Sequence, residues 1–207
     1  MPNKASAPTI RRLPSYLLVI ENARREGQTY ISGTSIAAEL HIEAIQVRKD
    51  LAVTGISGKP RIGFQVDELI QAIHAFLNWD RKYHAIIVGA GNLGSALTGY
   101  TEFKRHGMII IAAFDSDERK TGSTIHGIPI YSMSYLTKKI QELKACIAIL
   151  TVPSDQAQNI ADVLTEAGIR AIWNFTNVKI TVPENVIVQK EDLSSGYAAL
   201  SVKLNTP

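Results

Sequence analysis

Short stretches with a helical spacing of apolar residues make up the first third of the chain, and polar or glycine-containing turns separate them. The predicted elements are helices at 15–26, 35–40, 43–53 and 66–77, with a hairpin at 55–64. Gly27 is a natural end for the first helix, Ser32 is suited to cap the second, and the third ends before Gly55. Glycines and a proline punctuate the predicted hairpin. This order of elements is typical of a winged helix-turn-helix domain.

From Tyr83 onward the pattern changes to continuous apolar runs that alternate with helical stretches. The predicted strands are 84–88, 108–114, 146–152 and 171–175, and helices are predicted at 135–143 and 155–167. Strands of this kind, alternating with helices, predict a parallel sheet that is covered on both faces. A further strand candidate begins at Val186. The amphipathic stretch that follows it has apolar residues at Leu193, Tyr197, Leu200 and Leu204.

We therefore predict an α/β chain with an N-terminal winged helix-turn-helix domain and a C-terminal Rossmann-like, doubly wound parallel sheet. The polar residues 78–82 are the predicted boundary between the two. The predicted domains are 1–82 for the winged helix, 83–190 for the Rossmann-like part and 191–207 for a C-terminal helical tail.

Composition narrows the class of protein. The 207 residues are 45% hydrophobic and 20% charged, which is typical of a globular fold rather than a disordered chain. No apolar run approaches the roughly 18 residues of a membrane-spanning helix, and no secretory leader is recognisable, so we expect a cytoplasmic protein without a membrane partner. Cys146 is the single cysteine, which excludes an internal disulfide and a cysteine-zinc cluster, and we expect a buried packing thiol. The five histidines lack metal-ligand spacing.

The net charge of +3 comes entirely from the first part of the chain. Residues 1–84 hold 11 Lys and Arg against 8 Asp and Glu, whereas the remaining residues hold 11 of each kind. The excess is modest, and it favours an anionic partner for the N-terminal domain.

Residues 89–94, Gly-Ala-Gly-Asn-Leu-Gly, match the G-x-G-x-x-G pattern of dinucleotide-binding loops. The match follows a predicted strand and opens a helical stretch, which is the context that the pattern requires. We expect Gly89 to permit the tight turn, Gly91 to let backbone N–H groups approach a pyrophosphate, and Gly94 to allow close packing of helix on strand. The alternative is a glycine-rich turn in an α/β domain that binds no nucleotide.

Asp115 closes the next predicted strand, 21 residues after the last glycine of the motif. An acidic residue at this position accepts hydrogen bonds from the adenosine ribose and repels a 2′-phosphate, which favours NAD(H) over its phosphorylated form. Arg119 and Lys120 lie close by in sequence and weaken this preference.

Two later strand ends are candidates for the nicotinamide side of the cofactor. Residues 151–153, Thr-Val-Pro, end one predicted strand, and 174–176, Asn-Phe-Thr, close another. In open parallel sheets ligands lie beyond the carboxyl ends of the strands, where both segments belong. The alternative for Pro153 is that it only ends the strand before the next helix.

The helix at 43–53, the second of the helix-turn-helix, carries side chains that suit the major groove of DNA. On a helical wheel its apolar residues cluster on one face, Gln46 and Lys49 point the opposite way, and Arg48 stands on the flank. A solvated helical face with local ion pairs is the alternative. The basic residues of the following hairpin and those ahead of the first helix favour DNA. The predicted DNA-binding residues are Arg11, Arg12, Gln46, Arg48, Lys49, Lys59 and Arg61.

The joined pieces resemble the Rex family of bacterial redox-sensing transcriptional repressors over nearly the whole chain. The segments that carry the resemblance are 9–17 (TIRRLPSYL), 46–51 (QVRKDL), 89–94 (GAGNLG), 112–115 (AAFD), 150–153 (LTVP) and 173–176 (WNFT). The resemblance implies a homodimer that binds operator DNA through winged-helix domains and NADH or NAD+ through Rossmann domains. It also implies that NADH disfavours the DNA-binding arrangement, that NAD+ permits it, and that protomers exchange a C-terminal helix.

The resemblance further implies that Tyr100 and Asp192 take part in a redox-dependent link between domains and protomers. Leu18 stands where the family often has an arginine that completes this link, and residues 52–55 (AVTG) and Asn177 also depart from the usual pattern. Because the reduced nicotinamide ring is uncharged, we expect it to lie among apolar side chains, namely those of Tyr100, Val152 and Phe175. The predicted cofactor residues are Gly89, Ala90, Gly91, Asn92, Leu93, Gly94, Tyr100, Asp115, Thr151, Val152, Pro153 and Phe175.

The rival class is an NAD-dependent oxidoreductase with a basic N-terminal domain. Such an enzyme needs a group that handles the proton accompanying hydride transfer, and a domain that holds substrate. The sequence offers no acid/base pair at the nicotinamide side, and only a short tail follows the nucleotide-binding part. We therefore predict a sensor and not an enzyme. A DNA-binding protein with a vestigial nucleotide fold is disfavoured by the intact glycine pattern with Asp115.

Overall fold

The structure is a computed structural model that describes residues 5–204. The chain divides between Arg81 and Lys82 into two compact units, which we call the head and the nucleotide unit. The first four residues of the predicted winged helix and the last three of the predicted tail lie outside the described residues.

Helices around one hydrophobic core build the head. Its elements are α1 (Ala7–Arg25), β1 (Tyr30–Ile31), α2 (Gly33–Leu40), α3 (Ala44–Ala52), β2 (Phe64–Gln65) and α4 (Val66–Phe76). The side chains that fill the core with no exposed surface are Leu13, Tyr16, Ile20, Ile36, Val47, Leu51, Leu69 and Ile73. The Ser32 hydroxyl accepts a hydrogen bond from the Ser35 N–H and caps α2, as the sequence predicts.

Helix α1 begins at Ala7, well before the predicted start at residue 15. The predicted start follows Pro14, but this proline lies inside the helix. A proline removes one helical hydrogen bond and usually marks a boundary. Here the neighbouring Leu13 and Tyr16 are fully buried on the same helix, and this packing outweighs the lost bond. The Ser6 hydroxyl accepts from the Thr9 N–H and fixes the true start.

The predicted hairpin at 55–64 is wrong in its pairing. Strand β2 pairs antiparallel with β1, which precedes the helix-turn-helix, and a single bridge, Lys59 to Gly63, closes the loop between residues 59 and 63. This pairing buries Phe64 against the head core. A Cβ on Gly63 would lie 2.3 Å from the carbonyl oxygen of Ile31, so only glycine allows the close approach. The loop still forms a basic wing, but it is anchored to β1.

A seven-stranded sheet in the order β5-β6-β4-β3-β7-β8-β9 forms the nucleotide unit. Its strands are β3 (Tyr83–Val88), β4 (Met108–Asp115), β5 (Thr124–Ile125), β6 (Ile128–Ser132), β7 (Ile147–Leu150), β8 (Ala171–Asn174) and β9 (Ile187–Lys190). Its helices are α5 (Asn92–Thr98), α6 (Glu102–Arg105), α7 (Leu136–Leu143), α8 (Ala157–Glu166) and α9 (Leu193–Leu204). All strand pairs are parallel except β5 with β6.

Both faces of this sheet are covered, which confirms the predicted α/β architecture. Ile86 and Val88 pack on one face with Phe114, whereas Ile87 and Ile149 pack on the other. Strands β5 and β6 escaped prediction because the first has only two residues and the second contains a proline. The predicted tail helix is present as α9. Its apolar residues are largely exposed in the single chain, namely Tyr197, Leu200, Val202 and Leu204.

Candidate dinucleotide cavity and nucleic-acid groove

The glycine loop joins the end of β3 to the start of α5, and each of its outer glycines occupies a position that no other residue fits. Gly89 has a positive φ of 102°, and a Cβ there would lie 2.6 Å from the carbonyl oxygen of Thr151. A Cβ on Gly94 would lie 2.0 Å from the carbonyl oxygen of Gly89. Around Gly91 a Cβ would meet no atom within 4 Å, so the loop is open at this point. The first N–H groups of α5 have no acceptor within the helix and face this opening by helix geometry.

Asp115, at the end of β4, is buried and fixes the glycine loop. One carboxylate oxygen, Oδ2, accepts from the Ala90 N–H at 2.8 Å and from Lys120 Nζ at 2.9 Å, and Oδ1 accepts from the Asp117 N–H at 2.8 Å. Burial raises the pKa of Asp115, but these donors outweigh it and leave the pKa below its ordinary value. The group is therefore a carboxylate at neutral pH.

A cavity of about 250 Å³ opens between the ends of β3, β4 and β7. Its lining residues are Gly89, Gly91, Asp115, Ser116, Lys120, Met133, Thr151, Val152, Pro153, Gln156 and Ile160. The chain proceeds from β3 to β4 on one side of the sheet and later to β7 on the other, so the cavity lies at the topological switch point. The structure thus brings residues 151–153 to the same cavity as the glycine loop and Asp115. The Thr151 hydroxyl also donates to the Gly89 carbonyl at 2.8 Å.

Of the predicted nicotinamide residues, Tyr100 and Phe175 belong to a separate aromatic row. Tyr100 contacts Phe103 edge-on with ring centres 4.8 Å apart, Phe103 lies 5.4 Å from Trp173, and Trp173 lies 5.2 Å from Phe175. Val152 lines the cavity instead. Tyr100 and Phe175 are thus the two ends of this row, with Phe103 and Trp173 between them, and Val152 lies apart from both.

The side chains beside Phe175 have local structural roles. Asn174 is fully buried; its oxygen accepts from the Thr176 N–H and hydroxyl, and its amide donates to the Val178 carbonyl. These contacts fix the turn after β8. The thiol of Cys146 is only half-buried, so the expected buried packing thiol is wrong in degree, because the residue precedes β7 and does not lie within it.

Asp192 precedes α9 and binds its first turn. Its carboxylate accepts from the Ser194 N–H at 2.9 Å, and its carbonyl accepts from the Ser195 hydroxyl at 2.7 Å. A carboxylate at this position caps the helix. Leu18, where the family often has an arginine, is largely exposed on α1.

In the head, a cationic groove of about 650 Å³ lies between the start of α2, helix α3 and the wing. Its lining residues are Ser32, Gly33, Thr34, Arg48, Ala52, Ile56, Ser57, Gly58, Lys59, Pro60, Arg61, Gly63 and Phe64. Three of these side chains are cationic, three carry hydroxyl groups, and none is acidic. Such a lining suits the phosphate backbone and base edges of DNA.

Local contacts position the cations of this groove. A Cβ on Gly33 would lie 3.2 Å from Cγ of Arg48, so the glycine makes room for the Arg48 side chain beside α2. Lys59 Nζ donates to the Tyr30 hydroxyl at 3.0 Å, and this bond raises the pKa of Lys59. Arg61 adopts a φ of 62° at the tip of the wing. Arg11 and Lys49 are exposed but do not line the groove.

Arg12 and Gln46 lie differently from their predicted places, because both bind the buried carboxylate of Asp50. Arg12 donates to Asp50 through Nε at 2.6 Å and Nη2 at 2.9 Å, and Gln46 Nε2 donates at 2.9 Å. Gln46 is half-buried and does not point away from the core as the helical wheel predicts. Two donors of Arg12 are committed to Asp50, so its main contact is within the head.

Asp50 is the central residue of this cluster, which sequence reasoning missed. It is 1% exposed and also accepts from the hydroxyls of Thr9 at 3.0 Å and Tyr16 at 2.6 Å. Burial raises the pKa of Asp50, but the hydrogen bonds prevail and bring it to about 2. Burial and the neighbouring carboxylate raise the pKa of Tyr16 to about 12. In the sequence Asp50 follows Arg48 and Lys49 and looks like part of a solvated charge run; no local signal reveals its burial.

Among residues 5–204, no helix is both long enough and apolar enough to cross a membrane. The same residues contain no group of three or more His, Cys, Asp or Glu side chains placed to hold a metal ion.

Comparison with known proteins finds both halves of the chain in described families. Residues 4–52 match a family described as "Putative DNA-binding protein N-terminus", and residues 80–178 match one described as "CoA binding domain". The redox-sensing transcriptional repressor Rex of Treponema denticola is 58% identical over 97% of this chain and 96% of its own length. That of Bacteroides thetaiotaomicron is 41% identical over 98% of this chain and 90% of its own.

Solved structures of a Rex-family repressor, RSP, have the same fold. RSP in complex with beta-NADH is 34% identical, with a TM-score of 0.88 over 98% of this chain and 95% of that chain. RSP in complex with beta-NAD+ and operator DNA is 35% identical, with a TM-score of 0.90 over 98% of this chain and 94% of that chain. The resemblance seen in the sequence is confirmed over both units, and this chain belongs to the Rex family of redox-sensing transcriptional repressors.

Proposed function

We propose that this protein is a transcriptional repressor that binds operator DNA as a homodimer and releases it when NADH binds the nucleotide unit. The observation that carries the proposal is the presence, in one chain of the Rex family, of a glycine-loop cavity with Asp115 and a cationic groove on a winged helix. Relatives that share the whole chain are named redox-sensing repressors. RSP has been crystallised with NADH, and with NAD+ and operator DNA.

The residues of the cavity fit a dinucleotide. Space is open around Gly91, where a pyrophosphate needs close approach to the backbone. Asn92 and Leu93 begin α5 and offer N–H groups to the phosphates. Asp115 accepts from the ribose, and Met133 and Ile160 offer apolar walls for a base. NADH and NAD+ differ by one hydride at the nicotinamide ring, and we assign to this protein the detection of that difference.

The aromatic row supports a role for Tyr100 and Phe175 beside the nicotinamide. NADH and NAD+ share their adenosine and pyrophosphate groups, so the glycine loop and Asp115 bind both forms alike. An apolar surround favours the uncharged reduced ring over the cationic oxidised ring. Tyr100 is half-exposed at one end of the row and offers its ring and hydroxyl to this purpose.

Operator binding is assigned to the cationic groove and its flanks. Arg48 on α3 is the residue that we assign to base edges, and Lys59 and Arg61 on the wing are assigned to phosphates. Arg11 and Lys49 are exposed and add backbone contacts. Arg12 and Gln46 position α3 through Asp50 and do not serve as primary DNA contacts.

Linkage supplies the mechanism of regulation. If the DNA-competent dimer binds NADH less tightly than the incompetent dimer, NADH weakens operator binding by the same factor. A coupling of about 1–3 kcal/mol gives roughly 5- to 150-fold regulation. In the homodimer we assign the exposed apolar side of α9 to the partner protomer, with Asp192 and Tyr100 in the link between protomers.

A sensor fits the chemistry of the cavity better than an oxidoreductase does. Asp115 is the one carboxylate among its lining residues, its pKa lies below the ordinary value, and three donors already bind it. Such a group is a poor acid or base at neutral pH. Because the relatives that share the whole chain are named transcriptional repressors, we assign no turnover to this protein and place it in the cytoplasm.

The test is a titration of the purified protein onto duplex DNA from upstream of its own gene, read by fluorescence anisotropy. We expect binding in the presence of NAD+ and a loss of affinity of at least about fivefold on adding NADH. NADH mixed with a small carbonyl substrate should show no protein-dependent loss of absorbance. Affinity for DNA that ignores NADH would contradict the proposal.

A further inference from the structure

The two cations that follow Asp115 in sequence have different places in the structure. The Arg119 side chain is 90% exposed and forms a bidentate ion pair with Asp117, at 2.9 and 2.8 Å. Lys120 turns the other way and lines the dinucleotide cavity, where its Nζ lies 2.9 Å from Asp115 Oδ2. Of these two cations, only Lys120 lines the cavity that would hold a nucleotide.

Lys120 also takes part in the hydrogen-bonding balance of Asp115. An ionised carboxylate has about four acceptor sites. The N–H groups of Ala90 and Asp117 and the Lys120 amine occupy three of them, so a ribose hydroxyl has one free site unless a donor gives way. The two backbone donors are fixed by the loops. Lysine is on a long flexible stem and is the donor that can move.

The pair of Asp115 and Lys120 carries no net formal charge. An acidic residue at the end of this strand excludes a 2′-phosphate because two anions repel each other. With a cation 2.9 Å away on the wall of the same cavity, much of that repulsion is cancelled. The flexible amine is itself a donor to a phosphate oxygen.

We propose that Lys120 is a specificity residue of the cavity, which lowers the preference of the site for a free ribose 2′-hydroxyl over a 2′-phosphate by neutralising Asp115. This inference rests on the proposed function, namely that the cavity binds NAD(H). Arg119, although adjacent in sequence, has no such role.

The test compares the affinities of the full-length protein for NADH and NADPH, measured by nicotinamide fluorescence and by competition at low ionic strength. The variant is Lys120→Gln, and Arg119→Gln is the matched control with the same change of charge one residue away. Lys120→Arg keeps the charge.

We expect the ratio of the dissociation constants, NADPH over NADH, to rise about tenfold in Lys120→Gln, since a 2′-phosphate carries nearly two negative charges. The ratio should stay unchanged in Arg119→Gln and change little in Lys120→Arg. The effect should shrink as salt is raised. An unchanged thermal unfolding midpoint, measured by circular dichroism, shows that Lys120→Gln is folded.

A ratio in Lys120→Gln equal to or below that of the parent protein would overturn the inference, as would an equal rise in Arg119→Gln. Failure of the proposed function has a different signature. In that case the parent protein itself would bind no NADH, or its affinity for operator DNA would ignore NADH.

Discussion

At the scale of single residues, two buried aspartates do most to organise the molecule. Asp50 ties α1 to α3 in the head, and Asp115 ties the glycine loop to the end of β4. Each is an ionised group away from water, which is tolerable only because several donors surround it. Replacing either aspartate should therefore have a measurable effect.

Replacing Asp115 by Asn should weaken NADH binding by about 10- to 100-fold, because a hydrogen bond to a charged group contributes about 1.5–3 kcal/mol. Fluorescence titration of bound NADH measures this change. Asp117→Asn is the control, because it alters a neighbouring carboxylate whose side chain does not line the cavity. Equal affinities in the parent and the Asp115 variant would remove the ribose role of Asp115.

Protonation of Asp50 at acid pH should lower the free energy of unfolding of the head. Its pKa falls from 3.8 to about 2 in the folded protein. A lowered folded-state pKa contributes stability that is present above the unfolded pKa and is lost as the pH falls through the folded pKa. The contribution is roughly 2 kcal/mol and should disappear between about pH 4 and pH 2.

Denaturant unfolding at pH 7 and pH 3 checks this expectation. Asp50→Asn should be less stable than the parent at pH 7, by about 1.5–3 kcal/mol, because the hydrogen bonds that Arg12, Thr9 and Tyr16 make to a charged acceptor are lost or weakened. The difference between variant and parent should narrow at pH 3. A pH-independent difference would show that the charge of Asp50 has no part in stability.

At the scale of elements, helix α3 and the wing form one surface although they are separate in sequence. The pairing of β2 with β1 brings the wing beside the start of α2, and Gly33 admits the Arg48 side chain into the same groove. The helix predicted at 43–53 is present as α3, and its Arg48 lines the groove. The helical wheel is wrong for Gln46, because it does not show that Asp50, four residues further along the helix, is a buried acceptor.

Replacing Arg48 by Ala should weaken operator binding by about tenfold or more, since a bidentate arginine contact contributes about 1–3 kcal/mol. The dissociation constant for NADH should be unchanged, because Arg48 lies in the head and the cavity in the nucleotide unit. Arg25→Ala is the matched control, an exposed arginine outside the groove. Equal losses of DNA and NADH binding would contradict the division of tasks between the units.

At the scale of the whole molecule, each unit has its own hydrophobic core, and the apolar side chains that the structure describes in α9 belong to neither. Tyr197, Leu200 and Leu204 leave apolar surface in water that a single chain does not cover. Apolar surface of this kind marks an interaction site, and in a homodimer the partner protomer would bury it.

Replacing Tyr197 and Leu200 together by Ser should therefore shift the dimer towards monomer, raising the dimer dissociation constant by at least about tenfold, because burying one such side chain contributes about 1.5–3 kcal/mol. Sedimentation velocity across a range of concentrations measures the shift. Ser194→Ala on the same helix serves as control, because this side chain is exposed and the bond to Asp192 uses the backbone N–H. A parent protein that is monomeric at all concentrations would exclude the dimer.

The fold class, the glycine loop, the acidic residue at the end of β4 and the helix-turn-helix were all predictable from the sequence, because each depends on local periodicity or on a short motif. Gly89 and Gly94 meet the steric demands that their spacing indicates. Tertiary structure alone decided the rest. Asp50 looks like a solvated charge in the sequence, and a contact across 38 residues gives it its role. The sequence places both Arg119 and Lys120 near Asp115, and only the structure shows that Lys120 is the one that contacts it.

The pairing partner of β2 likewise depends on the tertiary structure. Phe64 pairs with Ile31 of β1 and is buried there, whereas the sequence predicts pairing across the loop that precedes it. A linear pattern records which residues prefer to be buried or to turn. It does not record which hydrogen-bond donors, acceptors and apolar surfaces from distant parts of the chain these residues contact. Those long-range contacts fix the positions of the charged side chains.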